Sequence, residues 1–88
     1  MKIIFHGNFD KRYKKLRKNE QRQTKERLEL FLHDEFNPIL NNHPLKGKYK
    51  NYRSINITGN LRALYKLHDA DVRIFVVVDT HSNLYKLG

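Results

Sequence analysis

Residues 61–85 read LRALYKLHDADVRIFVVVDTHSNLY, and this stretch decides the fold. Apolar and polar side chains alternate over Leu61–Leu67, which is typical of a strand with one buried face. After a short polar turn, residues 72–78 are almost continuously apolar, as expected for a central strand that is buried on much of both faces. The stretch therefore predicts two neighbouring strands, followed at 80–85 by a final short strand or extended tail that carries His81.

The segment before this hairpin predicts a third strand and a long loop. Residues 52–58 alternate as well, and Gly59-Asn60 is a turn pair typical of a β-hairpin. We therefore expect 52–58 to pair antiparallel with Leu61–Leu67. Residues 38–52 contain two prolines, one glycine and three asparagines, a composition that favours a connecting loop.

A short strand at Lys2–Phe5 and two helices are predicted in the N-terminal half. Asn8 is the expected N-cap of the first helix, because its side chain can accept from free backbone N–H groups. The second helix should run over about 20–36 with one apolar face, and Pro38 should end it. The predicted fold class is α+β, in a single domain over 1–88: two N-terminal helices, an αα-hairpin, packed on one face of a twisted, mostly antiparallel sheet of four to five strands.

The strand alternation also divides the sheet residues between two faces. The two helices are expected to cover one face, and the opposite face is expected to be polar and open. The covered face should hold Ile55, Ile57, Ala63, Tyr65 and Leu67. The open face should hold Ser54, Asn56, Arg62 and Lys66.

The charge pattern indicates a polyanionic partner. The chain carries 18 Lys and Arg against 9 Asp and Glu, a formal net charge of +9. Such a charge favours RNA, DNA, an acidic protein or an anionic membrane surface. Nine basic residues and two acidic ones lie between Lys11 and Arg27. This cluster is either a solvated helix surface or a contact surface for a phosphate backbone.

Several kinds of chemistry have no support in the sequence. Without cysteine there is no disulfide and no thiolate metal site, which suits a reducing cytosol. No HxH or HExxH spacing indicates a metal site, no GxSxG indicates a serine hydrolase, and no glycine-rich loop indicates a phosphate cradle. The apolar N-terminus is too short for a signal peptide, and no run approaches the ~18 apolar residues of a membrane span. We therefore expect a cytoplasmic protein without membrane contact, metal or cofactor.

RNA cleavage requires few groups, and the chain has them. A base must take the proton of the attacking 2′-hydroxyl, an acid must protonate the leaving 5′-oxygen, and a cation must stabilise the phosphoryl oxygens. His81 suits either proton transfer, Arg62 suits the phosphate, and Tyr85 could stack on a base. The loop also alternates basic and aromatic residues, a pattern that fits phosphate contacts and base stacking, although the tyrosines could equally cap the core: Lys46, Lys48, Tyr49, Lys50 and Tyr52.

The chain resembles the RelE/ParE toxin superfamily, in the branch of YafQ-like and RelE/StbE-like mRNA interferases. The resemblance runs nearly from end to end and rests on residues 43–47 (HPLKG), 52–57 (YRSINI), 62–67 (RALYKL) and above all 80–85 (THSNLY). It implies a bacterial type II toxin that is a metal-independent endoribonuclease. Such a toxin cuts mRNA in the ribosomal A site and is silenced by a cognate antitoxin in a toxin–antitoxin hetero-oligomer.

The resemblance also implies roles for particular residues. His81 corresponds to the principal catalytic histidine of YafQ-like toxins, and Tyr85 to the aromatic residue four positions later. His43 corresponds to the histidine before Pro-Leu-x-Gly, and Arg62 to the arginine that assists at the phosphate in RelE-like toxins. Contacts to RNA phosphates are expected from Lys46, Lys48, Lys50, Arg53 and Lys66.

Three positions depart from the YafQ-like pattern. Acidic and histidine residues of those toxins are replaced here by Ser54, Asn56 and Asn60, none of which titrates usefully. The second proton-transfer group is therefore open between His43, Tyr85 and a ribosomal group. Two other functions also stay open: a ParE-like toxin that inhibits DNA gyrase without nuclease chemistry, and an RNA-binding module without catalysis.

Overall fold

The computed structural model describes residues 1–85 and places the predicted hairpin at the centre of a five-stranded sheet. The strands are β1 (Lys2–Phe5), β2 (His43–Pro44), β3 (Arg53–Asn56), β4 (Leu61–Leu67) and β5 (Val72–Thr80). Their order is β1-β5-β4-β3-β2, with β1 parallel to β5 and the other neighbours antiparallel. The helices are α1 (Gly7–Lys14), α2 (Lys18–His33) and α3 (His81–Tyr85), with 3₁₀ turns at Pro38–Leu40 and Gly47–Tyr49.

The helices α1 and α2 pack their apolar residues on one face of this sheet, which confirms the predicted α+β class. Aromatic rings form the centre of the core. The Phe31 ring meets the rings of Tyr65 and Phe75 edge-on, at centroid distances of 4.9 and 5.1 Å. Such pairs add about 0.5–1.5 kcal/mol each beyond the area they bury. The predicted core residues Ile55, Ile57, Ala63 and Tyr65 are buried.

Two expectations about the sheet faces are wrong. Leu67 is 58% exposed, because it is the last residue of β4 and adjoins the exposed turn at 68–71. The face away from the helices is also only partly open, since Ser54 and Leu64 on it are buried. Leu84 helps to cover this face: it is buried, although it lies outside the main core cluster.

Residues 81–85 form the helix α3, so the expected final strand or extended tail at 80–85 is wrong. Two side chains start this helix. Thr80 Oγ1 accepts from the backbone N–H of Asn83 at 3.1 Å. Asp79 Oδ1 accepts from the Thr80 N–H at 2.8 Å and from the Asn83 side-chain amide at 3.0 Å. The bond to Thr80 satisfies a backbone N–H that the start of a helix leaves free, the bonds to Asp79 hold the chain just before the helix, and the buried Leu84 anchors the short helix to the sheet.

Element boundaries in the first half differ from the expected ones. The N-cap of α1 is His6, whose Nδ1 accepts from the Asn8 N–H at 3.0 Å, so Asn8 lies inside the helix. The helix α2 ends at His33, before the expected position, and Pro38 begins a 3₁₀ turn. The loop at 38–52 contains the short strand β2. Within residues 1–85, no helix combines the length and apolarity needed to cross a membrane.

Candidate active-site cleft

The sheet register determines which side chains share the face away from α2. Residues directly opposite each other on neighbouring strands point to the same face. One row on this face runs across four strands through His43, Ser54, Leu64 and Val77, and a second row runs across three strands through Asn56, Arg62 and Asp79. A register shift next to Leu64 marks a β-bulge in the β4–β5 pairing. Bulges commonly re-aim side chains next to functional sites.

A cleft of about 520 Å³ lies on this face, between α1, β5, α3 and the 3₁₀ turn at Gly47–Tyr49. Its volume is in the range of small-molecule sites. Its lining combines basic, aromatic and polar side chains with the apolar Val76, Val77 and Leu84, and its one carboxylate is ion-paired to an arginine. The polar and aromatic lining residues are His6, Asn8, Arg12, Lys48, Tyr49, Tyr52, Lys66, Asp79 and Asn83.

His81 is the first residue of α3, and its side chain is exposed. Its backbone N–H donates to the carbonyl of Asn60 at 2.8 Å, which ties the start of α3 to the β3–β4 turn. Its ring lies 4.7 Å from the Tyr85 ring, centroid to centroid. His81 does not line the cleft itself, but Asn83 and Leu84 on the same short helix do.

Tyr85 is partly buried and joins His81 to the tyrosines of the cleft. The Tyr85 and Tyr49 rings meet edge-on at 5.8 Å, and the Tyr49 and Tyr52 rings at 6.2 Å. Burial raises the pKa of Tyr85, Tyr49 raises it further, and Arg62 partly opposes the increase. The phenol of Tyr85 is therefore protonated at neutral pH and can donate a hydrogen bond.

Arg62 lies between Asn56 and Asp79 in its cross-strand row. Its Nη1 donates to the carbonyls of Thr58 at 2.9 Å and Leu61 at 3.1 Å. Within residues 1–85, no acceptor binds its Nη2 or Nε. Two bonds to backbone carbonyls thus orient the guanidinium and leave its Nη2 and Nε available to a ligand. The guanidinium lies close enough to Tyr85 to influence the pKa of the phenol.

The lysines predicted to bind phosphate are all exposed, and two of the four line the cleft. Lys48 Nζ lies 5.2 Å from the centre of the Tyr49 ring, and Lys66 projects from β4. Lys46 and Lys50 flank the same 3₁₀ turn but do not line the cleft.

His43 and Arg53 do not join the cleft. His43 lies on the edge strand β2, three strand spacings or about 14 Å from β5. Its Nδ1 lies 2.7 Å from the carbonyl of Asn41. Arg53 points to the helix side of the sheet, where its Nε donates to Asn42 Oδ1 at 2.8 Å and its guanidinium lies over the Phe36 ring.

Two buried polar atoms on the cleft side of the sheet have no hydrogen-bond partner within residues 1–85: Ser54 Oγ and Asn56 Oδ1. A buried unpaired polar group costs about 1–3 kcal/mol. Both residues are among the three positions at which the sequence is expected to depart from the YafQ-like pattern. Asn56 is directly opposite Arg62 in the register of β3 and β4.

Four polar lining residues were not predicted from the sequence: His6, Asn8, Asp79 and Asn83. Arg12 was predicted only as a member of the basic cluster between Lys11 and Arg27. Parallel pairing of β1 with β5 brings the start of α1 to the cleft, where Arg12 forms an ion pair with Asp79 across 67 positions of sequence. No local pattern encodes that pairing. Asp79 and Asn83 had a weak local signal, because they flank the THS motif. No group of three or more His, Asp or Glu side chains within 1–85 is arranged to hold a metal ion.

Comparison with known proteins identifies the family. The sequence pattern of the YafQ family, described as bacterial toxins of type II toxin–antitoxin systems, matches residues 1–86. YafQ from E. coli strain BL21(DE3) superposes with a TM-score of 0.80 at 23% identity, covering 96% of this chain and 97% of that one. No curated protein matches the chain in sequence.

Two further solved structures share the fold. The YoeB/ParE toxin from Agrobacterium tumefaciens superposes with a TM-score of 0.76 at 18% identity, over 92% of this chain and 99% of that one. A chain of the E. coli DinJ–YafQ toxin–antitoxin complex superposes with a TM-score of 0.77 at 24% identity, over 96% of each chain. The family match spans nearly the whole chain, and the protein therefore belongs to the YafQ family of type II toxin–antitoxin toxins.

Proposed function

We propose that this toxin is an endoribonuclease that cuts mRNA in the ribosomal A site without a metal ion. The observation that carries the proposal is the packing of His81 against Tyr85 in α3, next to a cleft that holds two lysines and two further tyrosines. Histidine for proton transfer, arginine for the phosphate and aromatic rings for bases are the groups that cleavage of single-stranded RNA uses.

The reaction assigned to this site is an internal phosphoryl transfer. The 2′-oxygen attacks the adjacent phosphorus, the bond from phosphorus to the 5′-oxygen breaks, and a 2′,3′-cyclic phosphate and a free 5′-hydroxyl are formed. One proton leaves the 2′-hydroxyl and one is delivered to the 5′-oxygen. His81 carries out one of these transfers, and the free part of the Arg62 fork stabilises the charge on the phosphoryl oxygens.

The second proton-transfer group is best assigned to Tyr85. His43 is three strands away from β5, and Ser54 and Asn56 do not titrate. The raised pKa of Tyr85 keeps its phenol protonated, so it can donate to the leaving oxygen.

An antitoxin partner follows from the same family. The E. coli relative has been crystallised as the DinJ–YafQ toxin–antitoxin complex. We propose that a cognate antitoxin binds this chain in a hetero-oligomer through an acidic segment that neutralises its +9 charge and folds on binding.

Pulse labelling after induction tests the reaction class. We expect incorporation of labelled amino acids to stop within minutes while DNA synthesis continues at first, with new 5′-hydroxyl ends within open reading frames. DNA breaks with continued translation would indicate a gyrase inhibitor instead. Normal growth with salt-dependent RNA binding would indicate a binding module.

A further inference from the structure

Two asparagine amides line the cleft, one from each of the helices beside it. Asn8 lies in the first turn of α1, and its Nδ2 donates to the carbonyl of Val76 at 3.3 Å. Asn83 lies in the middle of α3, and its Nδ2 donates to Asp79 Oδ1 at 3.0 Å. Asp79 is itself held by its ion pair with Arg12. Both amides are therefore oriented before any ligand enters.

Each oriented amide can still form further hydrogen bonds. Within residues 1–85, neither Oδ1 has a donor, and each Nδ2 uses only one of its two hydrogens. A planar amide that offers an acceptor beside a donor can bind the edge of a nucleobase through two hydrogen bonds. Proteins read single-stranded RNA in this way, on bases that have left the helical stack.

The rest of the lining favours a base over a phosphate at this position. Tyr49 and Tyr52 both line the cleft and meet edge-on, so their contact covers one face of one ring only. Lys48 lies over the Tyr49 ring, which favours Tyr52 as the ring that stacks on a base, and stacking on tyrosine tolerates any base. Arg12 is neutralised by Asp79, and a phosphate placed against Asn83 would lie close to that carboxylate. Lys48 and Lys66 remain as the cations for neighbouring phosphates.

We propose that the cleft binds a nucleobase adjacent to the cut phosphodiester, and that Asn83, with Asn8 opposite, determines which base is accepted. The inference rests on the proposed nuclease function and adds a specificity site to it. Neither asparagine transfers a proton. Their loss should therefore change base preference more than the rate on an optimal substrate.

Cut-site mapping in a reconstituted translation system tests the proposal. The mRNA carries one randomised codon, and the readout is the base frequency at each position around the cut. The wild-type toxin should prefer a base at one position. Asn83→Ala should reduce that preference about fivefold or more, the lower limit for one bidentate base contact. Asn8→Ala should reduce it in the same position.

Ser82→Ala is the matched control, because Ser82 is exposed on the same helix and does not line the cleft. It should keep the wild-type preference, and thermal denaturation shows whether each variant is folded. If the wild type cuts but folded Asn83→Ala and Asn8→Ala variants keep its preference, the specificity site is wrong and the nuclease function stands. If the wild type makes no cut, the nuclease function fails and the specificity site fails with it.

Discussion

At the scale of single residues, Arg62 is the residue proposed to stabilise the phosphate. Two backbone carbonyls hold Nη1 and leave the other side of the fork available. Arg62→Lys keeps the positive charge but loses the planar fork and its orientation. We expect single-turnover cleavage on programmed ribosomes to slow by ~10²–10³, since one positioned donor at the phosphoryl oxygens contributes about that much. A rate within twofold of the wild type would exclude the assigned role.

Tyr85 separates a proton-transfer role from a stacking role. Tyr85→Phe keeps the ring that packs on His81 and Tyr49 but removes the phenolic proton. If Tyr85 protonates the leaving oxygen, the variant should cleave ~10²–10⁴ times more slowly, and the melting temperature should hardly change. Unchanged cleavage by Tyr85→Phe, together with lost cleavage by Tyr85→Ala, would instead assign the ring to stacking. Because its pKa is raised, Tyr85 should not contribute to any rate change between pH 6 and 9.

At the scale of elements, the helix α3 depends for its formation on the side chains that cap its start. Five residues cannot form a stable helix alone, so the helix depends on Asp79, Thr80 and the buried Leu84. Asp79→Ala removes an ion pair with Arg12 and two further acceptor contacts. We expect a loss of about 1–3 kcal/mol in the free energy of unfolding, measured by urea denaturation. We also expect the cleavage rate of the folded variant to fall, because the position of α3 depends on Asp79.

Asp79→Asn provides the control for this prediction. The amide oxygen can still accept from Thr80 and Asn83, while the charge that pairs with Arg12 is gone. We expect this variant to retain more activity than Asp79→Ala. Equal activity of both variants and the wild type would show that α3 does not depend on Asp79.

The same helix shows what the sequence could and could not reveal. The two strands of the hairpin follow from the sequence pattern, β4 from its alternation of apolar and polar side chains and β5 from its almost continuous apolar run. The helical form of 81–85 does not, because it depends on side-chain caps and on Leu84 finding an apolar partner. The α1 wall of the cleft depends on pairing between β1 and β5, which no local spacing encodes. The sequence predicted His81, Tyr85 and Arg62 as site residues because they belong to the motifs at 62–67 and 80–85, and their roles stay predictions.

At the scale of the whole molecule, a partly buried polar network joins the turn after α2 and the following loop to the sheet, on the side opposite the cleft. Glu35 accepts from Arg73 Nε at 3.0 Å and from the Tyr65 hydroxyl at 2.9 Å, and Asn42 donates to that hydroxyl at 2.7 Å. Burial alone would raise the pKa of Glu35, but the hydrogen bonds from Arg73 and Tyr65 outweigh it and lower the pKa. Burial, with the Glu35 contact, raises the pKa of Tyr65 to about 12.

The network predicts the pH dependence of stability. Because the pKa of Glu35 is lower in the folded state, its contribution is complete above the ordinary value of 4.5 and is lost as the pH falls through the folded value. Glu35→Gln leaves the partly buried Arg73 without its counter-charge, although three backbone carbonyls still accept from Nη1, and should cost about 1–3 kcal/mol at pH 7. Urea denaturation between pH 7 and 3 should show the difference between wild type and variant shrinking toward acid. A constant difference across that range would contradict the assignment.

The central claim is that His81 performs the chemistry, and one measurement tests it most directly. Purified wild type, His81→Ala and the matched Ser82→Ala are compared for cleavage of mRNA on programmed ribosomes, with thermal denaturation as the folding control. Both changes fall on exposed residues of α3. We predict that His81→Ala cuts ~10²–10⁴ times more slowly while Ser82→Ala cuts at the wild-type rate. A folded His81→Ala variant that cuts as fast as the wild type would contradict the claim.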